Sequence, residues 1–167
     1  WEDTPLMGQA TRHLFGTIAS SSTLLQSIEI HGPKWGAGRF DAASARALAD
    51  VLPSPAFGAL KVLDLSGNAN MRTEGVKDVL NALHDPKCTI LLNRLNLSGC
   101  DSSFTLFESI VEALFTRKRF SQLTHLHFDY NVQVMQDPSH PVSKLITWSK
   151  LYAPHMEIVN HTPVYHN

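Results

Sequence analysis

Three histidines and two carboxylates crowd the C-terminal part of this 167-residue chain: His125, His127 and Asp129 in LTHLHFDYN, then His155 and Glu157 in HMEIVN. Imidazole nitrogens and carboxylate oxygens ligate zinc, and a structural site takes four ligands in a tetrahedron. On a strand, His125 and His127 share one face with their α-carbons roughly 7 Å apart. That spacing suits a solvated, partner-facing patch that titrates near neutral pH better than a metal cage, so neither metal nor other cofactor is expected. A second set, Ser66, Ser98, His127 and Asp64, has the residue types of a nucleophilic triad. Catalysis also needs a pocket and an oxyanion site. An open sheet offers neither, and no catalytic residue is expected.

What would position these side chains is a repeated segment. LKVLDLSGN at 60–68 returns as LNRLNLSGC at 92–100 and as LTHLHFDYN at 123–131. The shared pattern is L-x-x-L-x-L-x-x-N/C. LLQSIEIHG supplies a first copy through Leu25, Ile28 and Ile30, with Pro33 in the Asn position, and HMEIVN a last copy through Met156 and Ile158. The second apolar position falls at 28, 63, 95, 126 and 156, in steps of 35, 32, 31 and 30. A near-constant period marks stacked supersecondary units. Each copy reads as a short strand with its leucines inward. The residue ending it, Asn68, Cys100 or Asn131, stands where the chain turns away. There its side chain can satisfy backbone groups that would otherwise be buried unpaired.

Helical spacing fills the intervals. Val76, Val79, Leu80 and Leu83 predict a helix over 73–84, stopped by Asp85-Pro86. Phe107, Ile110, Val111, Leu114 and Phe115 predict one over 103–118 with Ser103 as cap. Asp41 caps a helix over 41–52 that turns Ala45, Leu48, Val51 and Leu52 inward before Pro53 and Pro55. Pro141 opens a helix carrying Val142, Leu145, Ile146 and Trp148, and Thr4-Pro5 opens another carrying Met7, Ala10, Leu14 and Ile18. Strands separated by crossover helices are parallel neighbours.

Composition narrows the function. Fourteen basic residues against fifteen acidic leave a net charge of −1, which does not draw the chain to nucleic acid or anionic lipid. The run Arg117-Lys118-Arg119 falls at a helix end, where cations offset the dipole. No stretch reaches the eighteen or so apolar residues of a membrane helix. Two cysteines, Cys88 and Cys100, make neither a disulfide framework nor a zinc motif, which points to a reducing, intracellular, cytoplasmic setting. The sequon Asn96-Leu97-Ser98 lies within a strand, an awkward place for a glycan. The first residue is Trp1 rather than Met, as in a piece of a longer protein.

The three copies at 60–68, 92–100 and 123–131 resemble leucine-rich repeats. The Asn/Cys interchange, with full helices between strands, is similar to the ribonuclease-inhibitor-like subfamily over roughly residues 22–160. The copies are longer than that family's usual repeat of about twenty-eight residues, and the first and last depart from its pattern. The resemblance implies an α/β fold: a right-handed solenoid with about five parallel strands on the concave face and helices on the convex face. Residues 1–22 form an N-terminal cap, 23–150 the repeats and 151–167 a degenerate last repeat and tail. It also implies a non-catalytic scaffold that binds protein partners, as one subunit of a larger assembly, with regulation of a small GTPase as the alternative. Alternation then sends Ser27, Glu29 and His31, Val62, Asp64 and Ser66, Arg94, Asn96 and Ser98, His125, His127 and Asp129, and His155, Glu157 and Val159 outward. Arg94 is the one residue there of a type that favours interface hot spots. Trp35 and Phe40 lie in the insertion HGPKWGAGRF, where Trp35 either anchors a partner or folds back over the first repeat. For a GTPase regulator, the loop arginines Arg39 and Arg72 are the candidate fingers.

Overall fold

The buried leucines of the motif set the strands. The computed structural model describes residues 5–21, 24–32, 40–102, 108–128 and 141–159. Five short strands run through it: β1 (Ser27–Glu29), β2 (Val62–Asp64), β3 (Arg94–Asn96), β4 (His125–His127) and β5 (Glu157–Val159). They lie side by side in chain order, every pair parallel. Helices cross between them: α1 (Pro5–Ser20) before the first strand, then α2 (Ala42–Ala49), α3 (Arg72–His84), α4 (Glu108–Thr116) and α5 (Pro141–Tyr152). The protein is therefore α/β, with a parallel sheet and connecting helices.

One core joins sheet and helices. Leu60, Leu63 and Leu65, Leu92, Leu95 and Leu97, and Leu123, Leu126 and Phe128 are all buried. They meet Val76, Val79, Leu80 and Leu83 of α3 and Val111, Leu114 and Phe115 of α4 in a single cluster. The register aligns equivalent motif positions across the first four strands, Ile28 with Leu63, Leu95 and Leu126. At β5 the expectation fails. Leu126 pairs with Ile158, not Met156, and His125 with Glu157. Met156 is buried in the turn leading into β5, which lets it imitate a motif leucine. Carried back three residues, the register sets His155, a polar residue, against Leu123.

The turn after each strand is closed by side chains. Asn68 Nδ2 donates to Ile30 O of the preceding copy at 2.6 Å and to Leu65 O of its own at 2.9 Å. Cys100 Sγ repeats the contact one copy later, reaching Leu65 O at 3.2 Å. Burial pushes the Cys100 thiol up to about 12, against a hydrogen bond from the Asn68 backbone. Beside this ladder the backbones touch. Gly67, at φ +74°, accepts no Cβ without strain, and a Cβ on Gly32 would collide with the Gly67 carbonyl. Gly99, at φ +67°, stacks next in line on Gly67. Gly32 N donates to Ser66 O at 2.8 Å and Gly67 N to Ser98 O at 2.7 Å, so the parallel bonding continues into the turns.

Helix ends follow local chemistry. Asp41 Oδ1 accepts from Ser44 N at 2.8 Å and caps α2, as its position predicts. That helix ends at Ala49, earlier than expected, although Leu52 still fills the core from the following turn. Ser103 and Phe107 fall outside the described residues. After α4, Lys118 N donates to Phe115 O and Arg119 N to Leu114 O, both at 2.9 Å. These bonds form a Schellman motif, with Lys118 left-handed at φ +58°. Arg119 then turns its guanidinium back to the carbonyls of Cys88, Asp85 and Pro86, behind α3. The basic run thus closes one turn and braces another. Burial lowers the pKa of neighbouring His84, and the charges of Arg117 and Arg119 lower it further.

α1 keeps Ile18 against the core, as expected, but is rotated at Leu14. Leu14 is 56 % exposed and Phe15 is buried, a rotation of one residue. Contact with α2 sets this phase: Thr11 Oγ1 reaches Ser44 Oγ at 3.3 Å, and a Cβ on Gly8 would meet Ala43 at 3.2 Å.

Three substitutions test these turns by urea denaturation. Asn68→Ala leaves Ile30 O unpaired and should cost about 2 kcal/mol, whereas Asn68→Cys, which copies the residue at 100, should cost about half of that. Lys118→Gly removes a left-handed side chain and should stabilise the protein by about 1 kcal/mol.

Candidate functional site

Alternation along each strand leaves a second face, away from the core. Ser27, Arg94 and His125 are exposed in its first row, Val62 is half-buried, and Glu157 of β5 completes the row. The next row holds Glu29, Asp64, Asn96 and His127, and the backbone of Val159 pairs with His127. The β5 shift moves Glu157 beside His125 and takes His155 off this face. His155 lies in the turn before β5, so the expected cluster of three imidazoles divides. Trp35, Arg39, Asp129 and Asn131 lie outside the described residues. His31 is exposed at the end of β1, and Arg72 is exposed at the start of α3 with φ +52°.

Asp64 departs from the pattern. The sequence gives it an outward position, yet it is 4 % exposed. A carboxylate removed from water needs compensating donors, and the neighbouring strands supply them. Ser66 N donates to Oδ1 at 3.0 Å and Asn96 Nδ2 to Oδ2 at 2.9 Å. Arg94 Nη2 reaches Oδ2 at 3.3 Å, and His31 Nε2 stands 3.5 Å from Oδ1. Burial alone would raise the pKa of this carboxyl. Hydrogen bonds from Ser66 and Asn96, helped by the charge of His31, outweigh it and hold Asp64 below the usual carboxylate range. One ionised side chain therefore ties β2 to β3, with His31 beyond the end of β1 close by.

Asn96 repeats the local geometry of Asp64, its Oδ1 accepting from Ser98 N at 3.1 Å. Its Nδ2, the atom a glycan would need, is committed to Asp64. The signal for this pairing stands in the sequence as Asp64-Leu65-Ser66 above Asn96-Leu97-Ser98, where an Asx side chain takes the amide two residues on. Asp64 is thus a brace for Arg94, not a contact open to a partner.

The β4 side of the face is looser. His125 Nδ1 lies 2.9 Å from Thr124 Oγ1, and its Nε2 lies 3.7 Å from Glu157 Oε2. The rings of His125 and His127 stack with centroids 6.2 Å apart. On β1, Ser27 Oγ donates to Glu29 at 2.7 Å. Among the described residues no group of three or more His, Cys, Asp or Glu is placed to hold a metal ion. The set Ser66, Ser98, His127 and Asp64, from which no catalysis is expected, is not brought together: Asp64 and His127 stand two strands apart, and Asp64 is taken by Asn96 and Arg94. No described helix is long and apolar enough to cross a membrane. Among known proteins, no family model matches the chain and no curated protein matches it in sequence.

Asp64 has a depressed folded-state pKa, so its contribution is complete above the unfolded carboxyl's pKa, about 4, and is lost as pH falls through the folded value. Asp64→Asn should therefore cost about 2 kcal/mol at pH 7, with the gap to wild type closing under acid. Urea denaturation across a pH series checks it; a gap of constant size down to the lowest pH contradicts it.

Proposed function

We propose that this chain is a leucine-rich-repeat solenoid of the ribonuclease-inhibitor-like kind. It acts in the cytoplasm as a non-catalytic scaffold for protein partners, as one subunit of a larger assembly. The observation that carries this reading is the registered parallel stack: equivalent motif positions adjoin from β1 to β4, with a crossover helix at every step. Repeats of this construction stack into curved slabs with an extended binding wall. In that reading the face bearing Glu29, Arg94, Asn96, His125, His127 and Glu157 is the concave wall, and the helices form the convex side. The polar character of that wall supports a partner held by charge and hydrogen bonds rather than by a large apolar patch.

A regulator of a small GTPase is the second reading. It rests on Arg72, an exposed arginine held by a strained backbone at the head of α3. Affinity capture with the intact protein, read by mass spectrometry, separates the two. A stoichiometric protein complex indifferent to nucleotide is the expected result. Capture of a GTPase only in one nucleotide state, with hydrolysis lost in Arg72→Ala, would replace the scaffold reading with the regulatory one.

A further inference from the structure

Building on the scaffold reading, we infer that Arg94 is the anchor of the wall and that it takes a carboxylate, an Asp or Glu side chain of the partner. Three observations converge on it. Arg94 sits on β3, the middle strand of five, in the first outward row between Val62 and His125. Its side chain is 46 % exposed while its counter-ion, Asp64, is 5 % exposed, so a partner meets the guanidinium and not the carboxylate beneath it. Among the described residues its side chain is paired with Asp64 alone, through Nη2. An arginine carries five donors in a planar fork that matches a carboxylate, which leaves the remaining donors for a second acid.

Charge along the face agrees. The exposed acids Glu29 and Glu157 occupy the two outermost strands, and Arg94 lies between them, with the titratable His125 and His127 on the next strand. A partner acid is repelled at either edge and accepted at the centre. Asp64 offsets the charge of Arg94 at long range, so the attraction is short-range and directional. Asp64 also holds the arginine in place before a partner arrives, which cuts the ordering cost of binding. It is a positioning residue and Arg94 the contacting one. The exposed Arg117 and Lys118, just past the end of α4, are a competing cationic site, which the experiment must separate.

The test is an NMR titration of isotope-labelled protein with an end-blocked Glu-Gly repeat peptide, beside a Lys-Gly peptide of equal length. The Glu peptide should shift the Arg94 side-chain Nε–H resonance and the amides of residues 94–96 and 125–127 in a saturable way, and the Lys peptide should not. Arg94→Gln should weaken binding about tenfold or more. Arg94→Lys, which keeps the charge and loses the fork, should weaken it as well and guards against misfolding of the first variant. Shifts centred on 117–118, equal affinity in Arg94→Gln, or equal response to the Lys peptide would each overturn the inference. Should Arg94→Gln still capture the partner of the intact protein undiminished, the scaffold reading survives and the anchor does not.

Discussion

A parallel sheet of three-residue strands is held by very few hydrogen bonds, and its integrity depends on what happens where each strand ends. The carbonyls of Ile30 and Leu65 point toward the buried side chain of Asn68, Leu65 from the core and Ile30 from a half-buried position. Asn68 satisfies both, and Cys100 joins it at Leu65. Because each of these side chains reaches back to the copy before it, the ladder fixes the spacing between copies as well as the turn itself. The glycines alongside allow the close approach this requires, with Gly32 flush against Gly67. Register follows from that contact, and the two outward rows of side chains follow from register.

The face built this way is polar, but not uniformly solvated. Asp64 lies buried among donors from its own copy and the next, with His31 close by, and the same contacts that offset its desolvation fix Arg94 and Asn96. Stability and a preset surface arise from one interaction. The helix side uses comparable ties. Arg46 Nε pairs with Asp78 Oδ2 at 2.9 Å between α2 and α3, and Arg119 bridges from beyond α4 to the carbonyls behind α3. Surface pairs such as Arg46–Asp78 add little individually. Arg119 acts differently, since its guanidinium donates to three backbone carbonyls of the turn that follows α3.

Much of this architecture was legible because the motif is strict from residue 60 to 128. There, the apolar positions, the Asn/Cys ladder and the helical stripes of α3 and α4 each carry an unambiguous period. Legibility failed where the pattern was degenerate or where tertiary contact decided. Met156 imitates a motif leucine while the true equivalent, Ile158, is preceded by His155, so the last register slips by two. α1 has apolar residues on adjoining faces, and only its packing on α2 selects Phe15 over Leu14. Asp64 has the outward position that alternation assigns, yet its neighbours close over it. No single-strand pattern reports that, since the donors beyond Ser66 come from residues 94 and 96, with His31 close by. Arg119 reads as a cation at a helix end, and its reach to three carbonyls is a property of the fold.

Equivalent positions of successive copies are bonded to one another through the turns. Amide hydrogen exchange resolved by residue tests it most directly, at Ile30, Gly32, Leu65, Gly67 and Leu97, whose N–H groups donate to Asp64, Ser66, Asn96, Ser98 and His127. All five should exchange slowly and together, at the rate of global unfolding. Fast exchange at Gly32 and Gly67 while the helices remain protected would contradict it, for the copies would then be neighbours without being joined.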